Sequence, residues 1–246
     1  MEEQELIRRA QDLCDRSAKR WETCHTSFLT PAERMILEKR FHPEPGIVMR
    51  FCGGYESCER SIAVFRPEEA EETPENELIR AVHYRAFFGE PGHRDYLGAL
   101  LASGIVRDRL GDIVIRGSEA WVFCLPGIVG HLAGIERIGR VSVRAEEVPA
   151  ESVRVPEPER KEIRFTVMSP RADAVAAGMF RLSRTRISEL IREGLLNLNY
   201  TVCEKTDAPV CEGDVLSLRG YGKGRIAEFG GNSRKGRLFV TAELYQ

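Results

Sequence analysis

The sequence lacks any C-x-x-C pair, although it contains seven cysteines, at positions 14, 24, 52, 58, 124, 203 and 211. An odd number of cysteines without paired spacing is typical of free thiols in a reducing compartment. Cys52 and Cys58, with His42 or His25 nearby, leave zinc binding as an alternative, but their spacing is not that of a common zinc finger. We therefore predict buried or half-buried free cysteines, no metal and no other cofactor.

The sequence also shows neither the pattern expected of a leader peptide nor that expected of a membrane-spanning run. The first residues are acidic and helical, with no basic segment followed by an apolar one, so they do not resemble a signal peptide. The most apolar long stretch, 121–135, is interrupted by a proline, three glycines and a histidine, and is too short to span a bilayer. We expect a monomeric cytoplasmic protein that makes no membrane contact.

The chain has little net charge, but its charges are unevenly distributed. The total is −2, whereas residues 171–246 carry 12 Lys/Arg against 9 Asp/Glu, or +3, which leaves −5 for the remainder. Within 181–192 there are four arginines and one glutamate. A concentrated basic region on a nearly neutral protein indicates a polyanionic partner, while a solvated face of unpaired arginines is the alternative.

The basic region begins with a short helix. Ser183 occupies the expected N-cap position and Gly194 the position just after the C-terminal end. Ile187, Leu190 and Ile191 share one face, which we assign to the core. The first turn, with its free backbone N–H groups, hydroxyl and guanidinium groups, is suited to holding phosphate.

Strands and glycine-rich turns follow this helix. The alternation in 196–199 predicts a strand with two asparagines on one face, and Gly213-Asp214 predicts a tight turn. A loop at 219–225 alternates cations with glycines, which would let the backbone approach a phosphate chain. The predicted RNA-contacting residues are Arg181, Ser183, Arg184, Thr185, Arg186, Ser188, Asn199, Lys205, Arg219, Lys223 and Arg225.

The order of these features resembles the RNA-binding domain first seen in ribosomal protein S-four. The matching pieces are Leu182-Ser183-Arg184, Leu190-Ile191, Gly194, the strand asparagine, Lys205, Gly213-Asp214 and the basic strand that follows. The resemblance covers roughly 171–225. Tyr221 is the only candidate in this region for an aromatic platform of the single-strand type, which favours recognition of folded or duplex RNA by shape and backbone.

The rest of the chain alternates helical and strand patterns, which predicts an α+β protein. Helices are predicted at 2–20, 31–41, 93–103 and after Pro126; strands at 47–52, 61–66, 78–88, 112–115, 120–124, 140–145 and 161–168; a solvated acidic loop at 67–77; and a linker or edge strand at 146–160. The predicted domains are a helical N-terminal part at 1–73, a middle domain at 74–158, and a linker strand with the S-four-type domain at 159–246.

The front of the chain resembles the YlmH-like family of bacterial S-four-domain proteins. The resemblance is carried by Phe28-Leu29-Thr30-Pro31, Gly53-Gly54-Tyr55, Glu59-Arg60 and the run His93 to Ile113. It implies a ferredoxin-like, RNA-recognition-like middle domain. It also implies a non-enzymatic protein that binds rRNA of the large ribosomal subunit carrying an obstructed peptidyl-tRNA, with tRNA and ribosome quality-control factors as further partners.

Three points stay open at the level of sequence. Either His93, Arg94, Arg107 and Arg109 form a second RNA surface, or Arg94, Asp95 and Asp112 simply cap and pair within the domain. An RNA-modifying enzyme of the pseudouridine synthase or methyltransferase kind, centred on one of these two aspartates, is the alternative function. A protein–protein adaptor that uses the acidic loop is a third.

Overall fold

The chain divides into two compact units, Met1–Pro156 and Glu157–Gln246. Its structure is a computed structural model that describes residues 3–155, 160–233 and 235–245. The first unit contains the whole of the first predicted domain, 1–73, and the second, 74–158, except for its last two residues. Within the predicted linker, residues 156–159 lie outside the described residues. Helices and strands occur in both units, which confirms the predicted α+β class.

The first unit contains five helices and eight strands within its described residues. They are α1 (Glu3–Arg20), β1 (Cys24–His25), α2 (Pro31–Arg40), β2 (Ile47–Cys52), β3 (Ile62–Pro67), α3 (Glu75–Leu78), β4 (Arg80–Ala86), α4 (His93–Ala102), β5 (Leu110–Arg116), β6 (Glu119–Cys124), α5 (Val129–Ala133), β7 (Arg137–Ile138) and β8 (Val141–Val148). Three-residue 3-10 turns lie at Arg107–Arg109, Pro126–Ile128 and Ala150–Ser152.

The N-terminal part is a three-stranded sheet, in the order β1-β3-β2, covered by α1 and α2. Helix α2 starts where the sequence predicts: the Thr30 hydroxyl accepts a hydrogen bond from the Glu33 N–H, and the Glu33 carboxylate accepts one from the Thr30 N–H. On β3, Ala63 and Phe65 face the helices, whereas Ile62 and Val64 face the other way, into a second core. Strand β3 is therefore buried on both faces.

The middle part has the strand–helix–strand–strand–helix–strand order of a ferredoxin-like fold. Its antiparallel sheet runs β5-β6-β4-β8, with the short β7 added at the β8 edge. Helices α4 and α5 pack on one face around Tyr84, Tyr96 and Leu132. The expected ferredoxin-like arrangement is confirmed.

Two predictions for the first unit need correction. The predicted acidic loop at 67–77 ends in helix α3, and its carboxylates bind the body of the domain. Glu75 accepts a hydrogen bond from the Gly54 N–H at 2.8 Å, and Glu72 lies 3.3 Å from Arg50. The segment predicted as a linker or edge strand at 146–160 begins as an edge strand and not as a linker, because β8 continues to Val148 and pairs there, among the described residues, with β4 alone. The outward side chains of β8 are charged, so the composition of this strand resembles that of a linker.

The second unit contains two helices and a six-stranded sheet among its described residues. Its elements are β9 (Arg160–Val167), α6 (Ala172–Phe180), α7 (Arg184–Arg192), β10 (Leu196–Leu198), β11 (Thr201–Val202), β12 (Val215–Leu218), β13 (Gly222–Asn232) and β14 (Leu238–Tyr245). The strands are ordered β11-β10-β12-β13-β14-β9, all antiparallel. Both helices contribute to the core on one face of this sheet.

Helix α6 is absent from the sequence prediction. Its residues are small and apolar around most of the helix, and most of them are buried, so it shows no amphipathic stripe. It lies close to the sheet: a Cβ on Gly178 would overlap the Phe165 ring. Close packing of a helix on a sheet, and not a polar–apolar pattern, accounts for this composition.

The predicted glycine–cation loop at 219–225 is mostly a strand. Gly220 and Gly222 form the turn with φ of +84° and +118°, after which β13 continues to Asn232. Gly224 lies within that strand, where a Cβ would sit 2.7 Å from the Met179 sulfur. This glycine is required for packing under α6, not for approach to a phosphate chain.

Candidate nucleic-acid interface

Helix α7 is built as the sequence predicts. Ser183 is its N-cap, and its hydroxyl accepts a hydrogen bond from the Arg186 N–H at 3.1 Å. Ile187, Leu190 and Ile191 are buried, and Gly194 has the left-handed backbone (φ +69°) that ends the helix. The first turn therefore presents Arg184, Thr185 and Arg186 to solvent.

Arg184 is held in place by a buried carboxylate. Asp173, in the first turn of α6, forms an ion pair with the Arg184 guanidinium and lies 3.3 Å from Arg171. The Asp173 side chain is 5% exposed, whereas that of Arg184 is 56% exposed. One side of the guanidinium is thus anchored between the two helices while the rest remains available to a phosphate.

Arg186 is oriented by three neighbours. Its guanidinium lies 3.0 Å from Glu189 and 3.9 Å from Glu193. Hydrogen bonds to Glu189 and then to Tyr221 raise the pKa of Arg186. Because Tyr221 lies in the turn between β12 and β13, this contact brings the turn that carries Arg219 next to the start of α7.

The loop that carries Lys205 contacts the start of α6. The Thr206 carbonyl accepts a hydrogen bond from the Asp173 N–H at 3.0 Å, next to the carboxylate that binds Arg184. Arg181, the left-handed C-cap of α6 (φ +56°), is exposed between the helices. We call the set Arg181, Ser183, Arg184, Thr185, Arg186, Ser188, Lys205 and Arg219 the helix corner.

Lys223 and Arg225 belong to a different surface. They alternate along β13 with Gly224, which faces Met179 of α6, so both point to the sheet face opposite the helices. There Lys223 lies 4.8 Å from the Tyr200 ring centroid and 5.1 Å from that of Tyr245. The predicted RNA-contacting residues of the second unit therefore lie on two surfaces, and not on one.

The sequence predicts that Asn199 is on a strand, but in the structure it is not. With Tyr200 it forms the two-residue turn between β10 and β11, both residues having positive φ. Its amide donates to Asp214 at 2.8 Å and accepts from the Val215 N–H at 2.9 Å. Both ends of the side chain are occupied within the protein, so the structure gives Asn199 a role in holding the turn.

The four residues predicted as a second RNA surface do not lie together. His93 and Arg94 begin α4, whereas Arg107 and Arg109 follow its far end, about 15 Å along a ten-residue helix. Arg107 is half-buried and donates to the Leu110 and Gly111 carbonyls at 2.7 and 3.2 Å. Burial and the neighbouring Arg60 lower its pKa to about 10.

The two aspartates considered as catalytic are structural. The Asp95 carboxylate accepts a hydrogen bond from the Gly92 N–H at 2.8 Å and so caps α4. The Asp112 carboxylate accepts hydrogen bonds from the Tyr55 hydroxyl (2.6 Å), the Glu59 N–H (2.7 Å) and the Arg60 N–H (3.1 Å). Asp112 thus fixes the 55–60 loop against β5.

Two further features concern metals and membranes. Within 3–155, 160–233 and 235–245, no three His, Cys, Asp or Glu side chains are grouped as metal ligands would be. In the same ranges no helix combines the length and the apolar character needed to cross a bilayer.

Two family models match the first unit. One, described as "YlmH, N-terminal", matches residues 2–69, and the other, described as "Putative RNA-binding domain in YlmH", matches 73–152; together they cover more than half of the chain. The chain belongs to the YlmH family. The predicted resemblance of the front of the chain to this family is thereby confirmed, and the ferredoxin-like part lies within the residues that the second model matches.

One curated relative agrees with this membership, and one solved structure shares the fold. The "Ribosome-associated protein quality control protein P2" of Bacillus subtilis (strain 168) is 32% identical over 223 residues, which is 89% of this chain and 86% of that protein. The solved "Cell division protein ylmH from Streptococcus pneumoniae" matches with a TM-score of 0.51 at 17% identity, over 61% of this chain and 92% of its own. The second likeness shows a shared fold alone.

Several residues of the candidate interface were missed by sequence reasoning. Arg171 and Asp173 organise the helix corner, and Tyr200 and Tyr245 surround Lys223 on the sheet face. Asp173 stands 11 positions before Arg184, too far for any local pattern to connect them. Tyr200 and Tyr245 come together only through the pairing of the strands.

Proposed function

We propose that this protein is a non-enzymatic RNA-binding protein that acts on the ribosome in the cytoplasm. The proposal extends to the large subunit carrying an obstructed peptidyl-tRNA, in ribosome-associated quality control. The name of the Bacillus subtilis relative and the match to the family's RNA-binding domain model support the ribosomal setting. rRNA is the proposed main ligand, and tRNA on the same subunit is a second.

The helix corner is the proposed grip on rRNA. The observation that carries this assignment is the pair Arg184 and Arg186, which project from the first turn of α7 while carboxylates fix their orientation. Guanidinium groups that are already oriented lose less conformational entropy when they bind phosphate. The order of features in 171–225 supports an S-four-type domain here, which reads structured RNA by its backbone.

Lys223 and Arg225 are proposed as a separate contact on the sheet face. Lys223 stands between two tyrosine rings, and Arg225 is exposed on the same face. We expect this face to touch a second RNA segment, so its removal should weaken ribosome binding less than removal of the helix corner.

Ribosome co-sedimentation of Arg184→Ala/Arg186→Ala tests the helix corner. We expect the variant to leave the large-subunit fraction at a lower salt concentration than wild type. The slope of log affinity against log salt should flatten by about one unit for each phosphate that the variant no longer binds. The matched control is Arg164→Ala/Arg237→Ala, which removes the same charge from exposed positions elsewhere in the second unit.

Folding and binding must be separated in this test, because Arg184 also contacts Asp173. Arg184→Lys keeps a positive charge near Asp173, and thermal unfolding of each variant shows whether the second unit is intact. If the folded double variant sedimented with large subunits as wild type does at every salt concentration, the helix corner would be ruled out as the RNA-binding site. If the control variant also bound large subunits more weakly, the loss of binding would be explained by the lower overall charge and not by the helix corner.

A further inference from the structure

The first unit exposes two adjacent phenylalanines. Phe87 is 70% exposed and Phe88 60% exposed, directly after β4. Large aromatic side chains usually bury most of their surface, so a neighbouring exposed pair on a small domain indicates a contact surface.

The register of the sheet fixes the surroundings of Phe87. Its N–H donates to the Ser142 carbonyl at 3.1 Å, which continues the β4–β8 pairing beyond Ala86. Ala86 is buried beneath the helices, so Phe87 points to the opposite face of the sheet. Ser142 in turn pairs with Arg137 on β7, so that Phe87, Ser142 and Arg137 form one row across three strands.

The next row brings two arginines together. Arg85 on β4 stands directly opposite Arg144 on β8, and both are exposed. Like charges directly opposite each other destabilise a sheet. Arg85 is compensated by Glu119, with contacts of 3.1 and 3.0 Å, whereas Arg144 and Arg137 have no carboxylate partner within the described residues. The positive charges of Arg137 and Arg144 are therefore available to an anion on this face of the sheet.

A cleft of about 460 Å³ joins these groups. Phe87, Arg137, Ser142 and Arg144 line it together with apolar residues of β8 and the end of α5, and Glu136 is its acidic residue. An exposed aromatic ring close to guanidinium groups is the arrangement that proteins use for single-stranded nucleic acid. There the ring stacks on a base and the cations neutralise the phosphates on either side.

We propose that this corner of the first unit binds single-stranded RNA, with Phe87 stacking on an unpaired base and Arg137 and Arg144 contacting the flanking phosphates. The site lies within the residues that match the family's RNA-binding domain. It differs from the helix corner in its unit and in its preferred ligand, and it does not depend on the ribosomal assignment.

Fluorescence anisotropy of the full chain with a labelled oligouridine of about ten nucleotides tests the site. Phe87→Ala should weaken oligouridine binding by about tenfold or more, as expected when one base is no longer stacked. Affinity for a hairpin duplex should not change, and Phe87→Trp should restore binding. Trp21→Ala removes another aromatic side chain of the first unit, 61% exposed, and serves as the matched control.

The arginines are tested by Arg137→Ala/Arg144→Ala against Arg8→Ala/Arg20→Ala, two exposed cations on α1. The first pair should flatten the salt dependence of oligouridine binding by about 0.7 units for each phosphate released, and the control pair should not. The same measurements in the Arg184→Ala/Arg186→Ala background remove the contribution of the helix corner. The effect of Phe87→Ala should persist there.

Three outcomes would overturn the proposal. One is an effect of Phe87→Ala no larger than that of Trp21→Ala. Another is equal weakening for the single strand and the duplex, and the third is no binding of oligouridine by the folded wild type. The first would assign the exposed ring to a protein partner, since RNA affinity would not depend on it. None of these results alters the co-sedimentation test of the helix corner.

Discussion

Asp173 shows how much one residue contributes to the candidate interface. It is a buried carboxylate in the first turn of α6, where the helix dipole favours negative charge. Its ion pairs with Arg171 and Arg184 compensate its burial and connect α6 to the start of α7. The orientation of Arg184 toward solvent therefore depends on Asp173, which need not contact the RNA itself.

The reactivity of the thiols is also decided residue by residue. Burial raises the pKa of Cys52 and of Cys124 to about 12 and that of Cys58 to about 11. At neutral pH these groups are almost entirely protonated, and the thiol form is unreactive. Cys211 is the exposed cysteine.

We therefore predict that a thiol reagent at neutral pH labels Cys211 first in the folded protein. Cys211→Ser should remove the fast phase, and unfolding in denaturant should expose all seven thiols. Mass spectrometry of a time course identifies the labelled position. Early labelling of Cys52 or Cys124 would mean that the first unit opens more readily than its packing indicates.

At the scale of elements, two helical glycines have opposite roles. Gly178 in α6 lies against the Phe165 ring, so an added methyl group would force the helix away from the sheet. Gly98 in α4 is exposed, and a Cβ there meets no atom within 4 Å. Helix propensity alone favours alanine at both positions by about 1 kcal/mol.

We predict that Gly98→Ala stabilises the protein by about 0.5–1 kcal/mol. Gly178→Ala should destabilise it, because overpacking costs about 1–3 kcal/mol and exceeds the gain in propensity. Chemical denaturation of the two variants measures both effects against wild type. Similar stabilisation by both substitutions would contradict the close approach of α6 to β9.

At the scale of the whole molecule, the chain consists of two units that each have their own hydrophobic core. Among the residues that the structure describes, the first unit contains three buried clusters, around Tyr84, Phe123 and Phe65, and the second contains one, around Leu190 and Met179. Each unit is within the size range of independently folding domains.

We predict that residues 1–156 and 157–246, expressed separately, each unfold cooperatively. The second fragment should retain binding to structured RNA, and the first should retain binding to oligouridine. Thermal unfolding followed by circular dichroism, together with anisotropy, tests both statements. A fragment that is unfolded when alone would show that its core needs the other unit.

The sequence by itself determined the local features of this protein. The Ser183 cap, the Gly194 terminus and the Thr30–Glu33 capping box depend on hydrogen bonds between residues three or four positions apart, so a short pattern specifies them. The family membership was likewise recognised from short runs of residues. Helix α6 escaped prediction because a buried helix of small residues has no amphipathic period.

The tertiary structure decided which of these residues share a surface. Strand pairing sends Lys223 and Arg225 away from α7. It also places Arg137 in one row with Phe87, with Ser142 of β8 between them, although 50 positions separate Arg137 from Phe87 along the chain. A shift of one residue in strand register would reverse the face of each side chain, and no local pattern records the register between distant strands. For the same reason, the anchoring of Arg184 by Asp173 became visible only once the two helices were packed together.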